Sequence, residues 1–365
     1  MRLQKYIFLV VAIIIIIGSF YLFFVQDFKN IPTVLKIVVD KQEDKNNPFF
    51  EEIRKEFIQK NKNISIKWIY LNDYDSTEYI SKNDVDGWFA SSESSIEHLK
   101  SSYDFSKKSN VSLQPITYAT SPMVIIGWKE KLDKLGDINI EKLYDIVTNN
   151  KSWSSVGGDY KWGKIKFTHA DPTIYDTGNR LMVLLTNNYN IQKGTPKKFI
   201  TKYDIVNAKD YILSFENKIK YQPSDRNYII DEMVNYEFDN NDMMLFDEFT
   251  VLKNIQNAKT KWSNLKIIYP TPNINVNVPF VIINASNYSA QKVDSMNKFK
   301  DFLLSEDVQK RILKTGFRPV KTNVKELELL EREYSNFGFK KDISDSGISF
   351  ESNVLWSISD IFSKQ

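Results

Sequence analysis

Runs of β-branched and apolar residues alternate along the chain with stretches of helical spacing. Residues 34–40 (VLKIVVD) form a short apolar run bounded by polar residues, which predicts a buried strand. Between 48 and 60, Phe49, Ile53, Phe57 and Ile58 fall near helical spacing, and Pro48 suits a first helical turn. A second strand is expected at 64–70, a short helix at 76–82 and a third strand at 85–89. The serines at 91–95 are plausible caps for a further helix. Strand and helix take turns, which implies an α/β fold with a parallel sheet covered by helices.

Residues 115–128 are extended for too long to be one ordinary strand, and 265–283 form a second such passage. Two long extended passages suggest two crossings between two lobes, with a hinged ligand cleft between them. Between them lie a helix at 140–148, a Ser-, Gly- and Trp-rich loop at 151–163, a strand at 164–168 and a turn-rich loop at 169–178. A helix starting at Asn179, a helix at 201–218, a strand at 243–246 and a helix at 247–256 follow. Residues 289–315 read as one helix, and a terminal helix is expected near 353–360. The division this gives is 34–115 with 272–335 as lobe I, 116–271 as lobe II, and 336–365 as a C-terminal helical extension.

Residues 6–25 (YIFLVVAIIIIIGSFYLFFV) carry no charge. About 20 helical residues span roughly 30 Å, the depth of a bilayer's hydrocarbon core. Arg2 and Lys5 precede the run, which places the N-terminus in the cytoplasm. A cleaved signal peptide needs a small residue at its cleavage site, and none follows this run. Residues 1–28 therefore read as a cytoplasmic tip and single-pass anchor in the cell membrane, with the rest of the chain extracellular. The 365 residues include no cysteine, which fits an oxidising exterior and excludes disulfides, a thiol nucleophile, Cys-ligated zinc and a lipidated cysteine. Lys plus Arg total 49 against 46 acidic residues, a net charge of +3, which argues against a nucleic-acid partner. Only His98 and His169 are available for imidazole chemistry, and no P-loop, nucleophile elbow or HExxH is present. From these residues the chain is not read as an enzyme, and no cofactor or metal site is expected.

Several motifs carry a resemblance. They are SPMVIIGW at 121–128, FTHADPT at 167–173 with Thr177 and Gly178, FKDFLLSEDVQ at 299–309, and GFRPV at 316–320. Their order and spacing over 34–320 resemble bacterial extracellular solute-binding proteins of the type II periplasmic-binding-protein fold, near the molybdate- and sulfate-binding branch. The resemblance implies two α/β lobes joined by two hinge crossings and preceded here by the transmembrane helix. It also implies a monomer that captures a small polar solute, oxyanion or sugar-like, for an ABC permease. Many relatives are lipoproteins held by a cysteine; here the apolar helix would do that job. The alternatives are a ligand-sensing or scaffold module without transport, and a cell-surface hydrolase.

Ligands in such a fold sit at strand ends and helix starts, where amides and the helix dipole favour anions. Ser91, Ser92 and Ser94 offer hydroxyls after the third strand, or serve only as caps. Thr120 and Ser121 lie on the first crossing; Ser121 is a donor candidate or a polar residue before Pro122. Thr173, Asp176, Thr177 and Gly178 open a helix; Asp176 repels an anion but accepts from sugar hydroxyls, or is only an N-cap. Asp247 and Glu248 follow a strand, with surface carboxylates as the ordinary reading. Trp88, Trp128, Trp153 and Trp162 could stack on a sugar face or serve core and lobe packing; Trp128, ending an apolar strand, fits the core, and Trp162, in a loop, is the better ligand candidate. Arg180 and Arg226 suit an oxyanion clamp, although most arginines at such positions are solvated.

Overall fold

The computed structural model describes residues 32–40, 48–90, 93–102, 111–173, 175–220, 241–257, 264–285, 288–320, 324–343, 347–351 and 353–363. The chain begins with β1 (Thr33–Asp40), α1 (Phe49–Lys60), β2 (Ile64–Leu71), α2 (Asp73–Lys82), β3 (Gly87–Phe89), α3 (Glu93–Ser102) and β4 (Val111–Ser121). The helix α1 forms because Phe49, Phe50, Ile53 and Phe57 line one face and are buried, with Glu51 and Glu52 in the first turn and Lys60 in the last, as the macrodipole favours.

The chain then builds a second lobe: β5 (Met123–Trp128), α4 (Lys129–Leu135), α5 (Ile140–Thr148), β6 (Phe167–His169), α6 (Asp176–Gln192), β7 (Phe199–Ile200), α7 (Lys202–Asn207), α8 (Lys209–Glu216), β8 (Met243–Asp247), α9 (Glu248–Asn257) and β9 (Leu265–Ile268). It returns through β10 (Val276–Ala285), α10 (Ala290–Leu303), α11 (Glu306–Thr315) and β11 (Arg318–Pro319). It ends in α12 (Val324–Tyr334), β12 (Ser349–Phe350) and α13 (Val354–Ser363).

Two sheets organise the lobes. The first has the order β11-β4-β10-β3-β1-β2 and the second β6-β8-β5-β9. Both are mixed, contrary to the parallel sheet expected: β10 runs antiparallel between β3 and β4, and β5 antiparallel between β8 and β9. A strand that re-enters from the other lobe arrives from the opposite end, which imposes the antiparallel pairing. The extended run at 115–128 divides at Pro122, where β4 leaves the first sheet and β5 enters the second, later than the 115/116 division expected. The two crossings are tied together by Asn273, whose side chain donates to Met123 O at 2.7 Å and accepts from Met123 N at 3.0 Å.

Phe57, Phe89, Phe280 and Phe299 build an aromatic core in the first lobe, with Phe89 and Phe280 centroids 4.6 Å apart. Each buried ring of this kind contributes about 1.5–3 kcal/mol by leaving water. The motif at 299–309 serves this core: Phe299 and Phe302 pack in it, and buried Gln309 donates to Tyr118 O and accepts from Val320 N, fixing β4 beside the 316–320 turn.

Three helix expectations change. Helix α6 starts at Asp176, not Asn179. The 201–218 helix divides at Ala208. The 289–315 helix breaks at Leu304 and Ser305, the latter starting α11. Residues 324–335, expected in lobe I, pack on the second sheet: Tyr334, Leu327 and Leu330 join Val124, Ile126, Met244 and Phe246. Val354, Ile358 and Ile361 of α13 are buried against the second-lobe core, and β12 pairs with β7. Among the described residues no helix is long and apolar enough to cross a membrane; the 6–25 run lies outside them.

Candidate functional site

A cleft of about 460 Å³ opens where the two lobes and the C-terminal extension meet. The first lobe contributes Glu93, Glu97 and Lys100 from α3 and Thr117 from β4. Asn275 and Asn277 come from the second crossing, Arg180 from α6, and Phe350 from β12.

Arg180 organises one side of this cleft. It is 1% exposed, where sequence reasoning expected an arginine there to be solvated. Its Nε donates to Asn275 O at 2.9 Å, and its Nη2 pairs with the Glu93 carboxylate. Its Nη1 lies 3.6 Å from Asp176 Oδ2, and the guanidinium sits over the Phe350 ring at 5.6 Å. The buried Asp176 carboxylate crosses the junction and accepts from Glu93 N at 3.0 Å. An anion is favoured at the first turn of α3, and the chain supplies its own. Asn277 completes the arrangement by donating to Glu93 Oε1 at 3.1 Å.

A second guanidinium joins the lobes elsewhere. Arg318 of β11 makes a two-pronged pair with Glu248 of α9, Nε to Oε1 at 2.7 Å and Nη2 to Oε2 at 2.8 Å. Glu248 is fully buried, where a surface carboxylate was expected. The Arg318 guanidinium also donates to Lys341 O and Lys340 O at 2.7 and 2.6 Å, and packs on Phe339. Burial alone would lower its pKa; the Glu248 carboxylate outweighs that and holds it above the ordinary value. Burial, then the Glu248 charge, pushes the Tyr269 phenol well above its ordinary value, so the phenol stays protonated and donates to Glu248.

The candidates at the helix starts gather at this junction with internal partners. Ser121 Oγ accepts from Phe249 N at 2.8 Å, and Asp247 accepts from Thr250 N and Oγ1 at 3.0 and 2.6 Å, so together they cap α9. Thr177 Oγ1 donates to Asp247 Oδ1 at 3.2 Å. Gly178 lies against the 170–172 turn: a Cβ there would stand 2.3 Å from Ala170 O, so only glycine lets α6 approach so closely. Thr173 is exposed and folds onto Asp171, and Thr120 Oγ1 reaches Arg318 O at 3.5 Å. Ser91, Ser92 and Arg226 lie outside the described residues, as does the side chain of Ser94.

Trp88 and Trp153 are core residues, with Trp153 Nε1 donating to buried Asp242 at 2.9 Å. Trp162 and Trp128 instead line a groove of about 670 Å³ on the second lobe with Lys129, Glu130 and Asp133. His169 is buried between Ala170 O at 2.9 Å and Glu216 Oε1 at 2.8 Å. Burial would lower its pKa, but the Glu216 carboxylate raises it above the ordinary value.

Sequence reasoning missed Glu93, Arg318, Asn275 and Asn277. Arg318 stood within the GFRPV motif, and Glu93 in the first turn of an expected helix. Neither position reveals a partner 70 or 87 residues away.

The fold has counterparts among solved structures. The structure of iron-bound HitA from Pseudomonas aeruginosa aligns with a TM-score of 0.54 at 14% identity, covering 91% of this chain and 98% of that one. An ABC transporter structure from Clostridium perfringens aligns at 0.56 and 13% identity, covering 91% and 99%. The apo ferric ion-binding protein A of Pasteurella haemolytica aligns at 0.56 and 13% identity, covering 91% and 97%. At these identities the likeness is one of fold. No curated protein matches the sequence. The family model for bacterial extracellular solute-binding proteins matches residues 44–318, well over half of the 365, and the two-lobed chain belongs to that family.

Proposed function

We propose that the protein is a membrane-tethered extracellular receptor that captures a small polar solute between its lobes and delivers it to an ABC importer. The carrying observation is the cleft of about 460 Å³, which draws side chains from both lobes and lies beside the two crossings on which they would hinge. Glu93 and Glu97 face Lys100 and Arg180 in its lining, so formal charge is balanced, and Asn275 and Asn277 add amide groups. Such a lining favours a solute that is neutral or carries both signs over a bare anion, which would compete with Asp176 for the α3 amide. The ABC assignment draws on the structural neighbour from Clostridium perfringens, an ABC transporter. The tether is the uncharged 6–25 segment, N-terminus inside.

The test is thermal unfolding of the full-length protein against sugars, amino acids, peptides and oxyanions. A captured solute at a hundredfold its Kd adds about 2.7 kcal/mol of stability. At least one polar solute is expected to raise the Tm; a library in which none does contradicts the reading.

A further inference from the structure

The second lobe carries a patch that solute capture does not use. Between 193 and 209 the sequence holds five lysines, Lys193, Lys197, Lys198, Lys202 and Lys209, against one acid, Asp204. That acid is turned inward: Asp204 is 2% exposed, caps α7 through Thr201 and holds Lys197 at 2.6 Å. The remaining lysines are exposed. Apolar side chains stand among them in water. Phe199 is 51% exposed, Tyr203 69% and Val206 58%, with Ile191 at the end of α6 also 51%. Four of the ten large apolar side chains exposed among the described residues thus fall within 191–206. The core-facing positions of the same segment, Ile200, Ile205 and Ala208, are fully buried, so the outward residues are not needed for packing.

We infer that this face, from β7 through α7, docks on an anionic lipid surface. Lysines beside outward aromatic and aliphatic groups match a headgroup layer, where the amines meet lipid phosphates and the rings enter the acyl boundary. An anionic polymer in solution would reward the lysines but not Phe199 or Val206. Lys202 Nζ lies over the Tyr203 ring at 5.2 Å, so the cation and the ring already act as one amphipathic unit. Each lysine near such a surface adds to the attraction. Proximity rests on the proposed tether: seven residues, 26–32, separate the apolar segment from β1 and reach at most about 25 Å.

The absence of native cysteine allows a clean test. Full-length V206C, labelled with an environment-sensitive fluorophore, is reconstituted into nanodiscs of phosphatidylcholine with or without phosphatidylglycerol. L329C, exposed on α12, is the control. Emission from position 206 is expected to shift to the blue only in phosphatidylglycerol discs. The shift should vanish in high salt and in the K198E/K202E background, while position 329 stays unchanged. Incorporation into discs with no blue shift at 206 overturns the patch and leaves the tether standing. Failure to incorporate, with a blue shift on adding phosphatidylglycerol discs, upholds the patch and overturns the tether. A shift that follows protein concentration in lipid-free detergent, or equal shifts in both lipids, also overturns the inference.

Discussion

Two arginines cross from one lobe to the other, and their surroundings differ. Arg318 meets a carboxylate that is wholly buried, engages both its oxygens, and donates two further hydrogen bonds to backbone carbonyls. Arg180 meets Glu93, whose side chain remains one-third exposed at the edge of the cleft. Its other partners, Asp176 and Asn275, sit at the start of α6 and on the second crossing. The first junction stands outside the lining of the cleft. The second lines the cleft, and water or a solute can replace its contacts. The comparison teaches that a permanent strap and an openable latch can use the same side chain, and that solvent access to its partner separates them.

The largest effect is expected at the strap. Glu248→Ala leaves the Arg318 guanidinium buried beside Tyr269 without its carboxylate, a loss of about 3–5 kcal/mol in chemical denaturation. A loss below about 1 kcal/mol would erase the distinction between the junctions. Arg180→Met keeps the packed stem but removes the charge, and is expected to cost about 1–2 kcal/mol while abolishing the Tm response to the captured solute. An unchanged response would move the site away from Arg180. Glu93→Gln keeps an acceptor for Asn277 and should cost less than about 1 kcal/mol, since its partner pair is partly in water.

A pH titration sharpens the contrast without touching either junction. His169 has its pKa raised by Glu216 above the ordinary 6.5. Its stabilisation is complete below that unfolded value and is lost as pH rises through the higher folded value. Tm measured by scanning fluorimetry should therefore fall with rising pH in the wild type, and fall less in His169→Gln. Equal slopes would remove His169 from the account.

Much of the fold was legible because it is local. The strands β1, β2 and β8 and the helix α5 follow from short apolar runs and helical spacing. Helix α6 was harder. It is buried nearly all round, polar residues such as Thr186 and Asn187 included, because α5, α7, α8, α13 and β8 surround it and β10 touches it, so no amphipathic stripe marks its start. The return of α12 to the second lobe is a long-range packing choice with no sequence signal of its own. Of the sequence candidates, Asp176 reaches Glu93 N, Thr177 reaches Asp247 and Ser121 helps cap α9, but none of the four lines the cleft. Their partners were not legible, since Glu93 with Arg180 and Glu248 with Arg318 depend on the lobes having come together.

The most direct measurement is calorimetric titration of the best solute from the thermal screen into wild type and Arg180→Met. The account predicts at least about tenfold weaker binding in the variant, about 1.4 kcal/mol. Equal affinity in the two proteins would contradict capture at the Arg180 cleft.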